Sequence, residues 1–246
     1  MIGVVLLSFD LLPPWLEWAN AFFLILAGTL GFLYFVGRFG IFAGSLLGLI
    51  IFFATFIVEG AGANSGFLFG SYDYTDRFAP NVSGVPIAIG FAWLMVMATS
   101  HVLARWVFPK GGLGYAITGA IGAVIMDLII DPVAYRLNSY WIWQDDGWYY
   151  GIPWTNFFGW FVVSLVLHLL IDFLMKHYSL PVRNGQPEKR MALLYILMIA
   201  MFTLLGALGG LWLASALTFS LMCAFVGIAW KRRPVLHDGS QEKSLI

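Results

Sequence analysis

Charge is scarce in this sequence, and so are cysteine and histidine. Only 11% of the 246 residues are Asp, Glu, Lys or Arg, and 13 acidic side chains cancel 13 basic ones; an ordinary soluble domain carries about 25%. With no net charge, no global field draws the chain toward nucleic acid or another strongly charged partner. The single cysteine, Cys223, excludes a disulfide framework and a thiolate metal site. Four histidines are too few for the His-rich sites of integral-membrane di-iron oxygenases. A retinal-type Schiff base needs a lysine inside the last span, and Lys231 comes only after it. The opening stretch MIGVVLLSFDLLPPWLEW has an apolar patch but no basic n-region, and Asp10 and two prolines interrupt it, so it reads poorly as a signal peptide.

Apolar residues fill the space that charge leaves. The chain is 61% hydrophobic with a mean hydropathy of +0.85, and a helix needs about 20 apolar residues to cross a bilayer. Runs of that kind lie near 17–36, 40–58, 85–104, 113–133, 154–175, 191–208 and 211–230. They predict an all-α, polytopic transmembrane bundle of about seven helices in the cell membrane. The expected layout is one transmembrane catalytic domain over 1–230 and a short polar cytoplasmic tail over 231–246. GALGG alone separates the last two runs, which could instead form a re-entrant pair.

With the N-terminus outside, eleven of the 13 basic residues fall on the inner side and only Arg77 and Arg136 fall outside. The positive-inside rule thus predicts an external N-terminus and a cytoplasmic C-terminus. Glu59, Asp73, Asp76, Asp131, Asp145 and Asp146 then map to outer helix ends or to two long outer loops, 59–84 and 134–153.

Carboxylates inside an apolar run are costly, and they usually mark function. Asp127 and Asp131 are four residues apart and share a helix face, with Asp127 about 6 Å deeper. That face also carries Gly119 and Ala123, which predicts close packing toward the bundle interior. The bland alternative is a structural polar pair, bonded to backbone or to Arg136, with Pro132 ending the helix. Two close carboxylates in low dielectric do not both ionise easily, so one is expected to keep its proton at neutral pH. General acid catalysis requires a group in that state.

VEGAGANSGFLFGSYDYTDRFAP, from Val58, superficially offers a Gly-rich phosphate loop. No strand precedes it, no Lys follows, and acidic residues surround it, so tight backbone folding with Tyr72 and Tyr74 at headgroup depth is the better reading. Glu59 is a second acid or base, or else a solvated helix-end carboxylate. YWIWQDDGWYYGIPWTNFFGW, from Tyr140, is dense in aromatics, which suits an interfacial belt but equally a polyene or a transient cation against ring faces. Asn156 is a helix cap by default. His168 and Asp172 read as a structural pair, and no metal site is expected.

The ordered pattern Glu59-Gly60-x-Gly62, Gly66, Phe69-Gly70-x-Tyr72-x-Tyr74, Gly84-Val85-Pro86, Asp127-x-x-x-Asp131-Pro132, Trp141-x-Trp143 and Tyr149-Tyr150-Gly151-Ile152-Pro153-x-x-Asn156-Phe157-x-Gly159-Trp160 resembles the carotenoid 1,2-hydratase family of integral membrane proteins. The resemblance covers roughly 50–175. It implies hydration of acyclic carotenoid end groups, such as those of gamma-carotene or bisanhydrobacterioruberin, with carotenoid, water and the bilayer as partners.

Site roles follow from the chemistry of such a reaction. Protonating the less substituted carbon leaves a tertiary cation, water captures it, and no cofactor takes part. Asp127 is the expected acid, Asp131 its partner and water-orienting base, and Glu59 an alternative acid or relay. Tyr72, Tyr74, Trp141, Trp143, Tyr149, Tyr150, Trp154, Asn156 and Trp160 are the expected substrate-binding residues. Loss of a proton from the same cation would instead give a cyclase or isomerase. A proton- or solute-coupled transporter would use the two aspartates as a relay but would show inverted repeats, and no convincing repeat is present. A prenyltransferase would need more basic partners for diphosphate than Arg77 and Arg136.

Overall fold

The computed structural model describes Leu16 and residues 18–179 and 185–234. Most of the stretch read for a signal peptide and most of the polar tail lie outside them. Seven described helices are long and apolar enough to cross a membrane. They are α1 (Trp18–Phe39), α2 (Ile41–Ser65), α3 (Ile87–Val107), α4 (Leu113–Pro132), α5 (Trp154–His177), α6 (Gln186–Leu208) and α7 (Trp212–Arg232). The last two are separate full-length helices rather than a re-entrant pair. Gly206, Gly209 and Gly210 turn the chain sharply between them, and the Leu211 N–H returns to the Gly206 carbonyl at 2.7 Å.

Helix α3 is the hub, with 83% of its span buried against the others. It packs most extensively on α1, and α4 packs on α5. Small residues set these approaches. A Cβ on Gly28 would lie 2.2 Å from the Phe91 carbonyl oxygen, and one on Gly119 would lie 2.2 Å from Nε2 of His168. The Gly119–Ala123 face of α4 does point inward.

Helix α2 runs on through Gly60–Ala63, where the apolar run would have stopped it, because small residues leave the helix unobstructed. Gly66 ends it in the left-handed conformation (φ 69°) and donates its N–H to the Gly62 carbonyl at 2.7 Å. Glu59 therefore lies well inside a helix and is 7% exposed, which corrects the reading of a solvated helix-end carboxylate. Pro132 does not stop α4 either. A single π turn, Val133–Leu137, carries the helix on. Proline has no N–H for the carbonyl four residues back, and the Tyr149 hydroxyl donates to that carbonyl, Leu128, at 2.8 Å instead.

The two long loops gather at one end of the bundle and pair with each other. Strand β1 (Tyr72–Tyr74) lies antiparallel to β4 (Trp141–Trp143), with Tyr72 opposite Trp143 and Tyr74 opposite Trp141. A smaller ribbon joins β2 (Asn81–Val82) to β3 (Val85–Pro86). Successive strand residues face opposite ways, so Tyr72, Tyr74, Trp141 and Trp143 share the face turned to the bundle while Asp73 and Ile142 face away. No strand was expected from the sequence, although the Y-x-Y and W-x-W spacings carry the period of two.

At the opposite end, His168 and Asp172 do not pair. His168 lies against α4, with Nδ1 2.7 Å from the Ser164 carbonyl and Nε2 3.3 Å from the Ser100 hydroxyl. Asp172, one turn further on, meets the turn before α4 instead. It accepts from Arg105 at 3.2 Å, Lys176 at 2.6 Å and the Gly112 N–H at 2.9 Å.

Candidate functional site

Beneath the paired loops lies a chamber lined by residues of six of the seven helices, and all three candidate acids line it: Glu59 from α2, Asp127 and Asp131 from α4. The aspartates are buried, at 1% and 2% exposure. Asn156 holds them together. Its Nδ2 donates to Oδ2 of Asp127 at 3.0 Å and to Oδ2 of Asp131 at 2.6 Å. Pro153 occupies the N-cap position of α5, so Asn156 lies in the first turn and directs its amide across to α4 instead of capping its own helix. Arg136 has its guanidinium over the Tyr135 ring rather than on either aspartate.

Asp131 is fully engaged, because Trp141 Nε1 donates to its Oδ1 at 2.8 Å. Glu59 is engaged too. The hydroxyls of Tyr72 and Tyr74 donate to Oε2 at 2.5 and 3.0 Å, and Trp93 Nε1 donates to Oε1 at 2.8 Å. Burial, then the nearby Glu59 carboxylate, pushes both tyrosine pKa values well above the usual range, so both phenols keep their protons. Of the six carboxylate oxygens on these acids, only Oδ1 of Asp127 has no hydrogen-bond partner among the described residues.

Aromatic faces make much of the remaining wall. Trp93 and Trp160 stack with centroids 4.1 Å apart, and Tyr72 lies 4.8 Å from Trp143. Phe78 stacks on Tyr140 at 4.5 Å, and Tyr140 is tied to α1 by a bond from Asn20 at 2.6 Å. Trp143 carries a buried indole N–H with no protein partner among the described residues.

The structure thus brings together Glu59, Asp127, Asp131, Tyr72, Tyr74, Trp141, Trp143, Asn156 and Trp160. It does not bring three others to the chamber. Tyr149 is bonded to Leu128, the Tyr150 hydroxyl accepts the Ala214 N–H at 3.2 Å, and Trp154 is 63% exposed on the outside of α5. Trp93 was missed: one tryptophan in the apolar run FAWLMVMATS reads as core until its partners on α2 and α5 are known.

Fold and site together define a multi-pass helical membrane protein with an aromatic-walled chamber that holds three acids. The chain belongs to the carotenoid biosynthesis protein family, whose model matches residues 19–225. It is also similar to a bisanhydrobacterioruberin hydratase of Haloarcula japonica, with 25% identity over 120 residues, which is 47% of this chain and 40% of that protein. The chain thus aligns with less than half of the curated relative's length. No solved structure matches it.

Proposed function

We propose that the chain adds water across the terminal double bond of an acyclic carotenoid end group. The observation that carries this reading is the free Oδ1 of Asp127 in a chamber where the other five carboxylate oxygens are already bonded. A group that must give up a proton to carbon needs one oxygen turned to the substrate, and Asp127 alone has it.

Asp127 and Asp131 share one proton, held on Asp127. Its transfer to the less substituted alkene carbon converts the C=C π bond into a new C–H bond and leaves a tertiary cation. The chamber rings stabilise that cation through their faces, and the Glu59 carboxylate, held by three donors, supplies a fixed negative charge. Water bonds to the cation and releases a proton to Asp131, which returns it to Asp127 before the next turnover, and the product is a tertiary alcohol. Atoms balance with no electron acceptor. The Trp143 indole N–H is the donor available to the attacking water or the new hydroxyl. The loop end is proposed to face outward from the cell membrane. Basic residues in the last turns of α1, α3, α5 and α7 support that orientation.

The test is expression in a host that makes an acyclic carotenoid, followed by mass analysis of its pigments. A product heavier by one water is expected. An isomer of unchanged mass would instead indicate a cyclase or isomerase, and unchanged pigment would remove the reading.

A further inference from the structure

A long polyene whose end group occupies this chamber reaches the bilayer by leaving between two helices. Two seams in the ring around α3 are loose, because α1 and α6 touch sparsely and so do α2 and α5. The second is plugged at the loop end. The Phe69 ring is wedged between α2 and α5, where a Cβ on Gly62 or Gly159 would lie 2.7 or 2.5 Å from its ring carbons. The stacked Trp93 and Trp160 add a second layer toward α3. Along the α1–α6 seam the chamber lining is Leu24 from one helix and Phe202 from the other, both half-buried. These helices part again at their far end, where Leu33 and Gly37 face Pro187 across a second cavity spanned by Arg38 and Glu188 at 3.6 Å.

We propose that the α1–α6 seam is the lateral gate of the chamber: the polyene chain lies between Leu24 and Phe202 and extends into the bilayer while its end group is held beside Asp127. This rests on the carotenoid reading above. The ligand class follows from the gate's chemistry. Both gate residues are apolar, and neighbouring Phe23 and Leu26 face outward at 41% and 51% exposure, so only an apolar chain passes without desolvating polar groups. Leu and Phe side chains change rotamer without breaking a hydrogen bond, so the gate can open locally while the Asn20–Tyr140 tie stays in place.

The experiment narrows the gate with Leu24→Trp and Phe202→Trp and widens it with Leu24→Ala and Phe202→Ala, using the full chain in membranes. Phe22→Trp and Leu204→Trp, on exposed positions of the same helices, are controls. Two readouts are taken: carotenoid retained by the purified protein, from its absorption, and hydration of a full-length carotenoid against a short isoprenoid small enough to lie wholly inside the chamber. Narrowing is expected to cut retention and carotenoid kcat/KM about tenfold, leave the short isoprenoid within about twofold, and spare the controls. Widening is expected to speed carotenoid loading, which checks the gate if a tryptophan variant folds poorly. Equal loss on both substrates, or unchanged retention in the narrowed variants, would overturn the gate. If the unaltered protein retains carotenoid but hydrates neither substrate, the hydratase reading fails while retention still judges the gate.

Discussion

The Tyr149 hydroxyl donates to the Leu128 carbonyl at 2.8 Å, one turn below the proline that leaves that carbonyl without a helical partner. Tyr149 thus acts on the end of α4 that carries both aspartates. Removing the donor orphans a buried carbonyl, at a cost of about 1–3 kcal/mol. Tyr149→Phe is expected to lower thermal stability by that amount in detergent while hydration persists, because the ring keeps its place. Loss of activity at full stability would instead put Tyr149 in the reaction.

Asp127→Asn keeps the size and polarity of the side chain but removes its transferable proton. Hydration is expected to fall by about 10²–10⁴-fold, the usual worth of a general acid, with carotenoid still retained. Pigment mass analysis after expression in a carotenoid-producing host measures it. Unchanged product would take Asp127 out of the mechanism.

Asn156 is the bridge between the two acids, and Asn156→Ala leaves both Oδ2 atoms without their shared donor. The variant is expected to lose about tenfold or more in kcat with little change in carotenoid retention. A fall in retention with kcat intact would mean that Asn156 binds substrate rather than positioning the aspartates.

For Glu59 the informative change is Glu59→Gln, which removes the charge but keeps one acceptor. If Glu59 stabilises the cation, kcat drops by about 10²-fold and Trp93→Phe, which frees Oε1, produces a smaller drop. Complete inactivity of Glu59→Gln beside an active Asp127→Asn would exchange the two roles.

Gly159→Ala tests the Phe69 wedge. The new Cβ would meet the ring at 2.5 Å, and overpacking of this kind costs about 1–3 kcal/mol. A thermal melt should fall accordingly, and a melt identical to that of the unaltered protein would show that the wedge yields.

The seven spans were legible because crossing a bilayer imposes about 20 apolar residues on each helix, a constraint that acts locally. The inward face of α4 was legible for a similar reason, since Asp127, Asp131, Gly119 and Ala123 fall into register on one helix. What the sequence hid is what one element contributes to another. Glu59 looked like the end of a run because Gly60 and Gly62 usually break helices, whereas here Gly62 makes room for Phe69. His168 and Asp172 share a face by spacing, yet they bond to different groups: Ser164 and Ser100 for the first, Arg105, Lys176 and the Gly112 N–H for the second. Trp93 gains its meaning only from Glu59 and Trp160, which lie 34 and 67 residues away in the chain.

The β1–β4 pairing also constrains how the protein is made. Residues 72–74 can find 141–143 only after α3 and α4 have both been inserted, and those two crossings return the chain to the side from which it started. Until then Tyr72 and Tyr74 lack the strand they pair with, and Asp131 lacks Trp141. The paired roof is therefore completed late in biogenesis, and a chain halted after α4 would present Asp127 and Asp131 without Trp141 and Asn156.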